Sequence, residues 1–563
     1  MYPSRCSLVA AAALCLSVGC AQSGPAPEPT ASEPSRVPVT YSDVTAEAGI
    51  EFQHHNGRSG RKYLPETLGS GAAFLDYDND GDQDIFLVNF RPWSGDAAGV
   101  TSKLYRNEGG GKFGDVTEES GLAMPMYGMG VASADYDNDG FADLYVTVLD
   151  GDRLFRNRGD GTFQDVTKVA GIENARFGTS AAWLDFDLDG NLDLLVANYV
   201  KWSVAQDLWC SMDGTSKTYC TPESYEGQPS ALYRNLGDGT FEDVSARAGI
   251  DDPTAKTLGI VVFDYDSDGL PDLFLANDTQ PNKLYRNEGD GTFSEPGVSA
   301  GVAYAEDGKA RGAMGVDAAD YDRSGRSHLL VGNFANEMLN LFHNEGNGLF
   351  VDEAPTSQIG RDSLLSLTFG AFFFDYDLDG HPDIFCANGH LDEEIEIVQP
   401  AVKFAQPPLL FRNDGLGGFH LSTSEVGADF AAPLVGRGAA YADYDSDGDL
   451  DILITTNDGP AKLLRNDGGN ANNFLRVRLR GVRSNRSGLG TELTLRSLSG
   501  KQVKVVRGGS SYCSQSEIVA TFGIGSDPQV ESLEARWPSG TVDSFGPLEP
   551  NREIVLTEGE PLG

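Results

Sequence analysis

The amino-acid sequence predicts an all-β protein built from seven copies of one unit, and three observations lead to that prediction. A nine-residue acidic loop recurs along the chain. Each copy lies between two short apolar runs, whose β-branched and aromatic content is typical of buried strands. Each is followed by a second phrase, such as Leu154-Phe-Arg-Asn-Arg-Gly-Asp-Gly-Thr-Phe163, in which two short strands enclose a glycine-rich turn.

The acidic loop has aspartate at positions 1, 3, 5 and 9 and glycine at position 6. A bound Ca²⁺, which takes about six to eight oxygen ligands, relieves the repulsion among four such carboxylates. EF-hands are excluded, because position 12 is Leu87, Leu275 or Ile454 where an EF-hand needs a bidentate Glu. We therefore predict about six Ca²⁺ sites, formed by Asp76, Asp78, Asp80 and Asp84; Asp135, Asp137, Asp139 and Asp143; Asp185, Asp187, Asp189 and Asp193; Asp264, Asp266, Asp268 and Asp272; Asp375, Asp377, Asp379 and Asp383; and Asp443, Asp445, Asp447 and Asp451.

Each unit contains four strands in the order strand, acidic loop, strand, strand, turn, strand. The loops recur every 50 to 79 residues. Four short strands repeated at this spacing are typical of the blades of a β-propeller. The sequence therefore predicts a seven-bladed β-propeller over residues 39–470.

The last unit lacks its fourth strand, because no second half of the hairpin follows residues 463–466. The missing phrase occurs at the other end of the repeats, where residues 41–50 nearly match residues 163–172. We predict that this N-terminal strand completes the last blade and closes the ring, which would remove an exposed sheet edge.

The loops and hairpins together resemble the FG-GAP or VCBS repeats of integrin α-subunit propellers, over residues 41 to about 468. The resemblance implies that the metal loop joins the first two strands of each blade. The fifth copy departs from the pattern, since Asp320 begins a loop with Ser324 at position 5 and His328 at position 9. We expect this copy to bind Ca²⁺ weakly or not at all.

The first 20 residues predict a secretion signal, with Arg5 preceding an apolar stretch too short to span a membrane. The segment resembles a bacterial lipoprotein signal with Cys20 as the lipidated residue, although Ser17 departs from that pattern. The alternative is an ordinarily cleaved signal. Residues 21–38 predict a disordered or polyproline-like tether. We expect an outer-membrane or cell-surface lipoprotein that is attached to the membrane by its lipid alone. The alternative is a periplasmic or extracellular protein.

The formal net charge of −42 argues against nucleic acid as a partner, because phosphates would be repelled. Cys210 and Cys220 lie in one long insertion, and in a secreted chain they predict a disulfide, with two unpaired thiols as the alternative. Cys386 and Cys513 are expected to be small core residues.

Residues 471–560 follow a different pattern, beginning with the alternating apolar and cationic run 473–480. Together with Phe522-Gly-Ile-Gly525 and Trp537-Pro-Ser-Gly540, this resembles the ASPIC/UnbV domain that follows such propellers in cartilage acidic proteins and their bacterial relatives. We predict a small β-rich C-terminal domain. Its first segment, 473–510, holds nine Arg or Lys and one Glu, which indicates either a solvated strand face or docking against the acidic propeller or another anionic partner.

Three functional hypotheses remain open from the sequence. The first is a non-enzymatic, calcium-stabilised binding or adhesion module for a protein or glycan. The second is an enzyme, or an enzyme-associated propeller, acting on carbohydrate or a secondary metabolite; no catalytic motif supports it, and only His390 and the acidic run 392–396 offer candidate groups. The third is a structural envelope protein. Recognition is expected on the face opposite the metal loops, where the insertions 90–102, 201–230 and 391–408 lie.

Overall fold

The computed structural model describes residues 37–94, 99–211 and 214–562. The secretion signal, Cys20 and nearly all of the tether lie outside these residues. The described chain consists of strands with a few single-turn helices. None of its helices is long and apolar enough to cross a membrane.

Seven four-stranded antiparallel sheets occupy the repeats, as the recurring loops and hairpins predict. Six of them contain four consecutive strands, and they are named sheets 1 to 6. Their strands are β2 (Ala72–Leu75), β3 (Asp84–Leu87), β4 (Lys103–Asn107) and β5 (Phe113–Asp115); β6 (Gly128–Ala134), β7 (Asp143–Val148), β8 (Arg153–Asn157) and β9 (Phe163–Asp165); β10 (Gly178–Leu184), β11 (Asp193–Asn198), β12 (Ala231–Asn235) and β13 (Phe241–Asp243); β14 (Thr257–Phe263), β15 (Asp272–Asn277), β16 (Lys283–Asn287) and β17 (Phe293–Ser294); β18 (Val316–Ala319), β19 (His328–Val331), β20 (Asn340–Gly346) and β21 (Leu349–Asp352); and β22 (Thr368–Phe374), β23 (Asp383–Asn388), β24 (Leu409–Asn413) and β25 (Phe419–Leu421).

Sheet 7 combines the two ends of the repeats. It contains β26 (Gly436–Ala442), β27 (Asp451–Thr456), β28 (Lys462–Asp467) and, as its outermost strand, β1 (Thr40–Asp43). Residues 40–43 pair with residues 464–467, so the predicted seam is present. The N-terminal strand is shorter than predicted, because residues 45–49 form a turn in place of a strand.

Short helices follow the outermost strands or lie in the connections. The α-helices that follow β9, β13 and β17 each end at a glycine with a positive φ of 77° to 86°, a conformation that glycine adopts without steric cost. The α-helices are α1 (Thr167–Ala170), α2 (Ser245–Ala248), α3 (Gly297–Ala300), α4 (Gln358–Ser363) and α5 (Ile395–Val398), and the 3₁₀-helices are Leu64–Thr67, Val204–Gln206, Pro222–Ser224, Ala354–Thr356 and Gly469–Ala471.

The first strands of the sheets pack against one another in a cycle. Each contacts the first strand of the next sheet, from β2 to β26, and β26 contacts β2. The apolar side chains of neighbouring sheets form the core between them, as Phe372, Phe385 and Ile452 do between sheets 6 and 7. This arrangement is a β-propeller, with the first strands nearest its axis.

The C-terminal domain is β-rich, as predicted. One sheet has the order β32 (Ala520–Gly525), β29 (Asn473–Arg480), β35 (Arg552–Thr557), and the second has the order β31 (Gly500–Val505), β30 (Glu492–Ser497), β33 (Ser532–Arg536), β34 (Val542–Phe545). The two sheets enclose apolar residues that include Leu493, Leu533 and Trp537.

A segment of the C-terminal domain, residues 508–517, lies along the inner strands of the propeller; we call it the axial segment. Its backbone exchanges hydrogen bonds with Ala72 and Phe74 of sheet 1, Val131 of sheet 2 and Val316 of sheet 5. Gly71 permits this approach, because a Cβ there would lie 2.0 Å from the carbonyl oxygen of Cys513. Cys513 and Cys386 are buried free thiols, as expected for core residues.

The cationic strand β29 contacts the metal-loop face of the propeller. The buried guanidinium of Arg476 binds both carboxylate oxygens of Glu517 at 2.8 Å and lies 3.2 Å from Asp443. Arg478 lies 3.4 Å from Asp76 and donates to the carbonyl of Gly81 at 2.9 Å. Of the two interpretations of this basic segment, docking against the acidic propeller is therefore the one that the structure shows.

Candidate metal centres

Two residues of each acidic loop have left-handed backbone conformations that turn the chain sharply. The glycine at position 6 has φ between 82° and 103° in all seven copies. Position 4 also has a positive φ, between 53° and 63°, although it is never glycine. Asparagine, which favours this conformation, occupies it at Asn79 and Asn138. The other five residues give no sign of it in the sequence; they are Leu188, Ser267, Arg323, Leu378 and Ser446.

The carboxylates at positions 1 and 9 are held by backbone N–H groups. In every intact loop, position 1 accepts from the N–H of the position-6 glycine at 2.7 to 3.2 Å. Position 9 accepts from the N–H of position 2 at 3.0 to 3.2 Å. The loop backbone therefore orients these two side chains before any ion binds.

Positions 1, 3 and 9 converge on one point. In each of the first four loops, one oxygen from each of these three carboxylates lies within 4.8 Å of the others, as in the group Asp264, Asp266 and Asp272. The position-5 carboxylate is not part of these groups. In all six intact loops it accepts the N–H of position 7 at 2.9 to 3.2 Å.

Arginine from the third strand binds the same loops in sheets 2, 3 and 4. Arg286 Nε lies 2.7 Å from Asp266, and its Nη2 lies 2.9 Å from Asp268. Arg156 and Arg234 form the same pairs with positions 3 and 5 of their own loops. Positions 3 and 5 are thus partly neutralised from outside, while positions 1 and 9 depend on the loop interior.

Several loop carboxylates carry a buried oxygen that no other described group satisfies. In the intact loops these include the Oδ1 atoms of Asp76, Asp78, Asp187, Asp266, Asp375 and Asp445, and Asp320 Oδ1 of the fifth loop is in the same state. A buried carboxylate oxygen without a partner costs free energy, and a hard cation with oxygen ligands removes that cost. The residues present therefore fit Ca²⁺.

Burial raises the pKa of the carboxyls at positions 1 and 9 of the intact loops. Desolvation is the largest cause, and it raises the pKa of Asp84 to about 8 and that of Asp193 to about 9. The pKa of Asp135 and that of Asp185 rise to about 7 for the same reason, with neighbouring aspartates adding to the effect. The charged form of these buried carboxyls is unfavourable on its own, and a divalent cation would supply the compensating charge.

A ring of seven asparagines joins each loop to the loop before it. Each follows the third-strand arginine or histidine, and its side chain donates to the position-2 carbonyl of the preceding sheet at 2.7 to 3.0 Å. In the six intact units, its own N–H donates to the position-9 carboxylate at 2.7 to 2.8 Å. The sequence shows the recurrence of Asn107, Asn157, Asn235, Asn287, Asn344, Asn413 and Asn466 but not this role, because their partners are backbone carbonyls.

The family comparisons agree with this geometry. The FG-GAP-like repeat family model matches residues 69–146, 148–196, 213–275 and 264–331, which contain the first five acidic loops. The family model described as ASPIC and UnbV matches residues 481–562. The chain contains FG-GAP-like repeats followed by an ASPIC and UnbV domain.

This FG-GAP-like protein is similar to cartilage acidic protein 1 of three vertebrates. It is 27% identical to the Mus musculus protein over 64% of this chain and 51% of the relative. Identity to the Homo sapiens protein is 29%, over 62% of this chain and 48% of the relative. The chain thus spans about half the length of these curated relatives.

Among solved structures, the matches are distant in sequence and shape. One is an Agrocybe aegerita lectin that recognises non-reducing terminal N-acetylglucosamine, with 17% identity, a TM-score of 0.38 and coverage of 70% of this chain and 87% of the lectin. Another is BBS1N in complex with ARL6DN, with 10% identity, a TM-score of 0.41 and coverage of 76% and 96%. These scores are too low to carry an argument.

On the FG-GAP-like propeller, the three long insertions converge on the segment 52–71, which links sheet 7 to sheet 1. Trp93 of the first insertion donates to the buried carboxylate of Glu66 at 3.1 Å. Trp202 of the second insertion packs against Tyr63, with ring centroids 5.4 Å apart. Glu393 of the third insertion binds Lys62 of the segment at 3.3 Å. We call the surface formed by these four segments the insertion face.

The second insertion is closed by the predicted disulfide between Cys210 and Cys220. Trp209, which precedes Cys210 in the chain, lies on the surface, where 67% of the residue is exposed. Ile397 of the third insertion is 79% exposed. The disulfide and the repeats together suggest an extracellular or secreted protein.

The candidate catalytic groups of the third insertion have structural partners. His390 is buried, its Nδ1 accepts the N–H of Asp392 at 3.1 Å, and burial lowers its pKa to about 4. Glu393 is paired with Lys62, and Glu396 with Lys403 at 2.8 Å. These contacts hold the loop together.

Proposed function

We propose that this protein is an extracytoplasmic calcium-binding β-propeller that acts as a binding or adhesion module for a protein or glycan partner. The convergence of three insertions on one face, with exposed Trp209 and Ile397, is the observation that carries the proposal. Rigid sheets that present irregular loops are the common arrangement of recognition surfaces.

The opposite face is already occupied by the protein itself. Arg476 and Arg478 bind the seventh and first metal loops, and Phe474 packs on Gly448 of the seventh loop. The axial segment fills the centre of the ring, where Tyr512 packs on Phe369 of sheet 6 with centroids 4.9 Å apart. A partner therefore has access to the insertion face, while the metal loops serve stability.

Calcium supports this function from a distance. The six intact loops would hold one ion each through positions 1, 3 and 9, with position 5 as the fourth predicted ligand. The asparagine ring joins each loop to the preceding sheet, so an ion in one loop stiffens the contact between two sheets. The insertions would then rest on a rigid base, which lowers the entropy lost on binding.

The secreted chain, probed on arrays of glycans and of extracellular proteins, is expected to bind through the insertion face. Large exposed apolar side chains at the centre of an interface typically cost more than about 1 kcal/mol when truncated, so Trp209→Ala with Ile397→Ser should weaken binding roughly tenfold. Val169→Ser is the matched control, because Val169 is equally exposed, at 79%, on helix α1. Equal affinity of the double variant and the parent would contradict the proposal.

We expect the protein to be held at a membrane by a lipid on Cys20. Cells expressing the full chain should retain it in the membrane fraction, and Cys20→Ala should release it, because one diacyl-type anchor gives the stable attachment that a single acyl chain does not. Cys15→Ala, in the apolar stretch of the same signal, serves as the matched control. A mature N-terminus created elsewhere, measured by mass spectrometry, would show that the anchor is absent.

A further inference from the structure

The fifth acidic loop differs from the six others at three places that meet in space. Ser324 replaces the aspartate at position 5, and His328 replaces the aspartate at position 9. His343 replaces the third-strand arginine that binds positions 3 and 5 in sheets 2 to 4. One oxygen of Asp322 and one nitrogen of each histidine lie within 4.8 Å of one another.

The contacts of His328 determine which of its ring nitrogens carries a proton. Its Nδ1 accepts the N–H of Asn344 at 2.9 Å, which is the contact that the position-9 carboxylate makes in every intact loop. The lone pair of Nδ1 is therefore used, so Nε2 carries the proton and donates it to Asp322 at 2.9 Å. A metal ion at Nε2 would require the loss of that proton or of the bond from Asn344.

His343 lies between two carboxylates. Its Nε2 is 3.1 Å from Asp322 Oδ2, and its Nδ1 is 3.0 Å from Glu345 Oε1. Ionised carboxylates only accept hydrogen bonds, so both ring nitrogens must donate, and the ring is an imidazolium. The ring also stacks on that of His328, with centroids 4.5 Å apart.

Charge in the fifth loop balances without an ion. An intact loop of sheets 2 to 4 combines four carboxylates, one guanidinium and one Ca²⁺, which leaves a net charge of −1. The nine residues of the fifth loop carry two carboxylates, Asp320 and Asp322, and two guanidiniums, Arg323 and Arg326, so they are neutral before the third strand is counted. The imidazolium of His343 then pairs with Asp322 and Glu345, so no divalent ion is needed to balance charge there.

We propose that the fifth loop is a cation site occupied by a proton, with the imidazolium of His343 in place of Ca²⁺. The loop then needs no calcium, and sheet 5 keeps its link to sheet 4 through Asn344, whose side chain donates to the carbonyl of Tyr265 at 3.0 Å. The comparison with Ca²⁺ rests on the proposed function of the six intact loops, whereas the state of His343 does not.

The pH dependence follows from the groups that face the two histidines. His343 contacts Asp322 and Glu345, and the negative charge of Glu353 also acts on it. His328 faces Asp322, His343 and Arg326. Burial lowers the pKa of His343, but its hydrogen bonds to Asp322 and Glu345 outweigh burial and raise the pKa above the ordinary value of 6.5. The stability that this imidazolium contributes is therefore complete below pH 6.5 and is lost as the pH rises through the raised pKa.

Nitrogen NMR of the full secreted chain, labelled at histidine and titrated from pH 5 to 9, tests the proposal directly. His343→Gln and His328→Gln assign the two signals. We expect His343 to be doubly protonated at pH 6.5 and to titrate above it, and His328 to remain neutral with its proton on Nε2. A neutral His343 at pH 6.5, or a proton on Nδ1 of His328, would overturn the assignment.

A metal count provides the second test, by elemental analysis after dialysis against Ca²⁺ and separately against Zn²⁺. Ser324→Asp with His328→Asp and His343→Arg restores the pattern of an intact loop, and this variant should bind one more Ca²⁺ than the parent. His343→Arg alone is the control and should gain none. A triple variant without the added ion, or a Zn²⁺ ion in the parent that His343→Gln removes, would refute the proposal. If the parent binds no Ca²⁺ at all, the proposed function fails, while the NMR result still decides the state of His343.

Discussion

Chelation of calcium with EDTA is expected to lower the melting temperature of the protein by about 15 °C. An ion at one hundred times its dissociation constant stabilises the native state by about 2.7 kcal/mol, so six ions contribute roughly 16 kcal/mol. A chain of this length has an unfolding entropy on the order of 1.1 kcal/mol/K, which converts that free energy into the stated shift. Scanning calorimetry of the secreted chain in 1 mM Ca²⁺ and in EDTA measures it.

Single-site variants connect this shift to the loops. Asp272→Asn removes a carboxylate that converges with Asp264 and Asp266, and it should lower the bound calcium by one ion. Asp268→Ala at position 5 should also lose one ion, whereas Ser324→Ala in the fifth loop should lose none. Identical melting curves with EDTA and with Ca²⁺ would refute the metal assignment.

Removal of the N-terminal strand is expected to destabilise the whole propeller. Deleting residues 1–51 removes the buried side chains of Tyr41, Val44 and Ile50 and leaves the edge of β28 unpaired. At about 1.5–3 kcal/mol for each large apolar side chain, this costs roughly 5–9 kcal/mol before the lost backbone bonds are added. Chemical denaturation should show the loss, and deletion of residues 1–37 should leave stability unchanged.

A disulfide across the seam gives an independent measurement. Ser42 lies opposite Arg465 in the register of β1 and β28, so Ser42→Cys with Arg465→Cys should crosslink in the native protein. Cys386 and Cys513 are buried, and Cys210 and Cys220 are already paired, so they do not compete. Ser42→Cys with Arg106→Cys is the matched control, because Arg106 has the same place in sheet 1. Crosslinking of the control pair alone would show that β1 does not pair with β28. Full stability of the protein that lacks residues 1–51 would show the same.

The sequence by itself determined the features that depend on local patterns. Strand lengths, the acidic loop and the hairpin phrase repeat within each unit, and their spacing was sufficient to predict the four-stranded sheets. The partner of β1 could also be predicted, because its phrase was missing from the last unit. The disulfide could be predicted because Cys210 and Cys220 lie close in one insertion of a secreted chain.

Only the tertiary structure decided the contacts whose partners carry no sequence signal. The asparagine ring donates to backbone carbonyls of a neighbouring sheet, and any residue offers such a carbonyl. The axial segment reaches inner strands hundreds of residues away, as Gln515 does with Ala72, and no periodicity predicts that approach. His343 lies 21 residues from Asp322, and only the return of the third strand to its loop brings the imidazolium to the carboxylate. Each of these contacts depends on how folded units pack, which is decided by geometry between segments and not by the composition of either one.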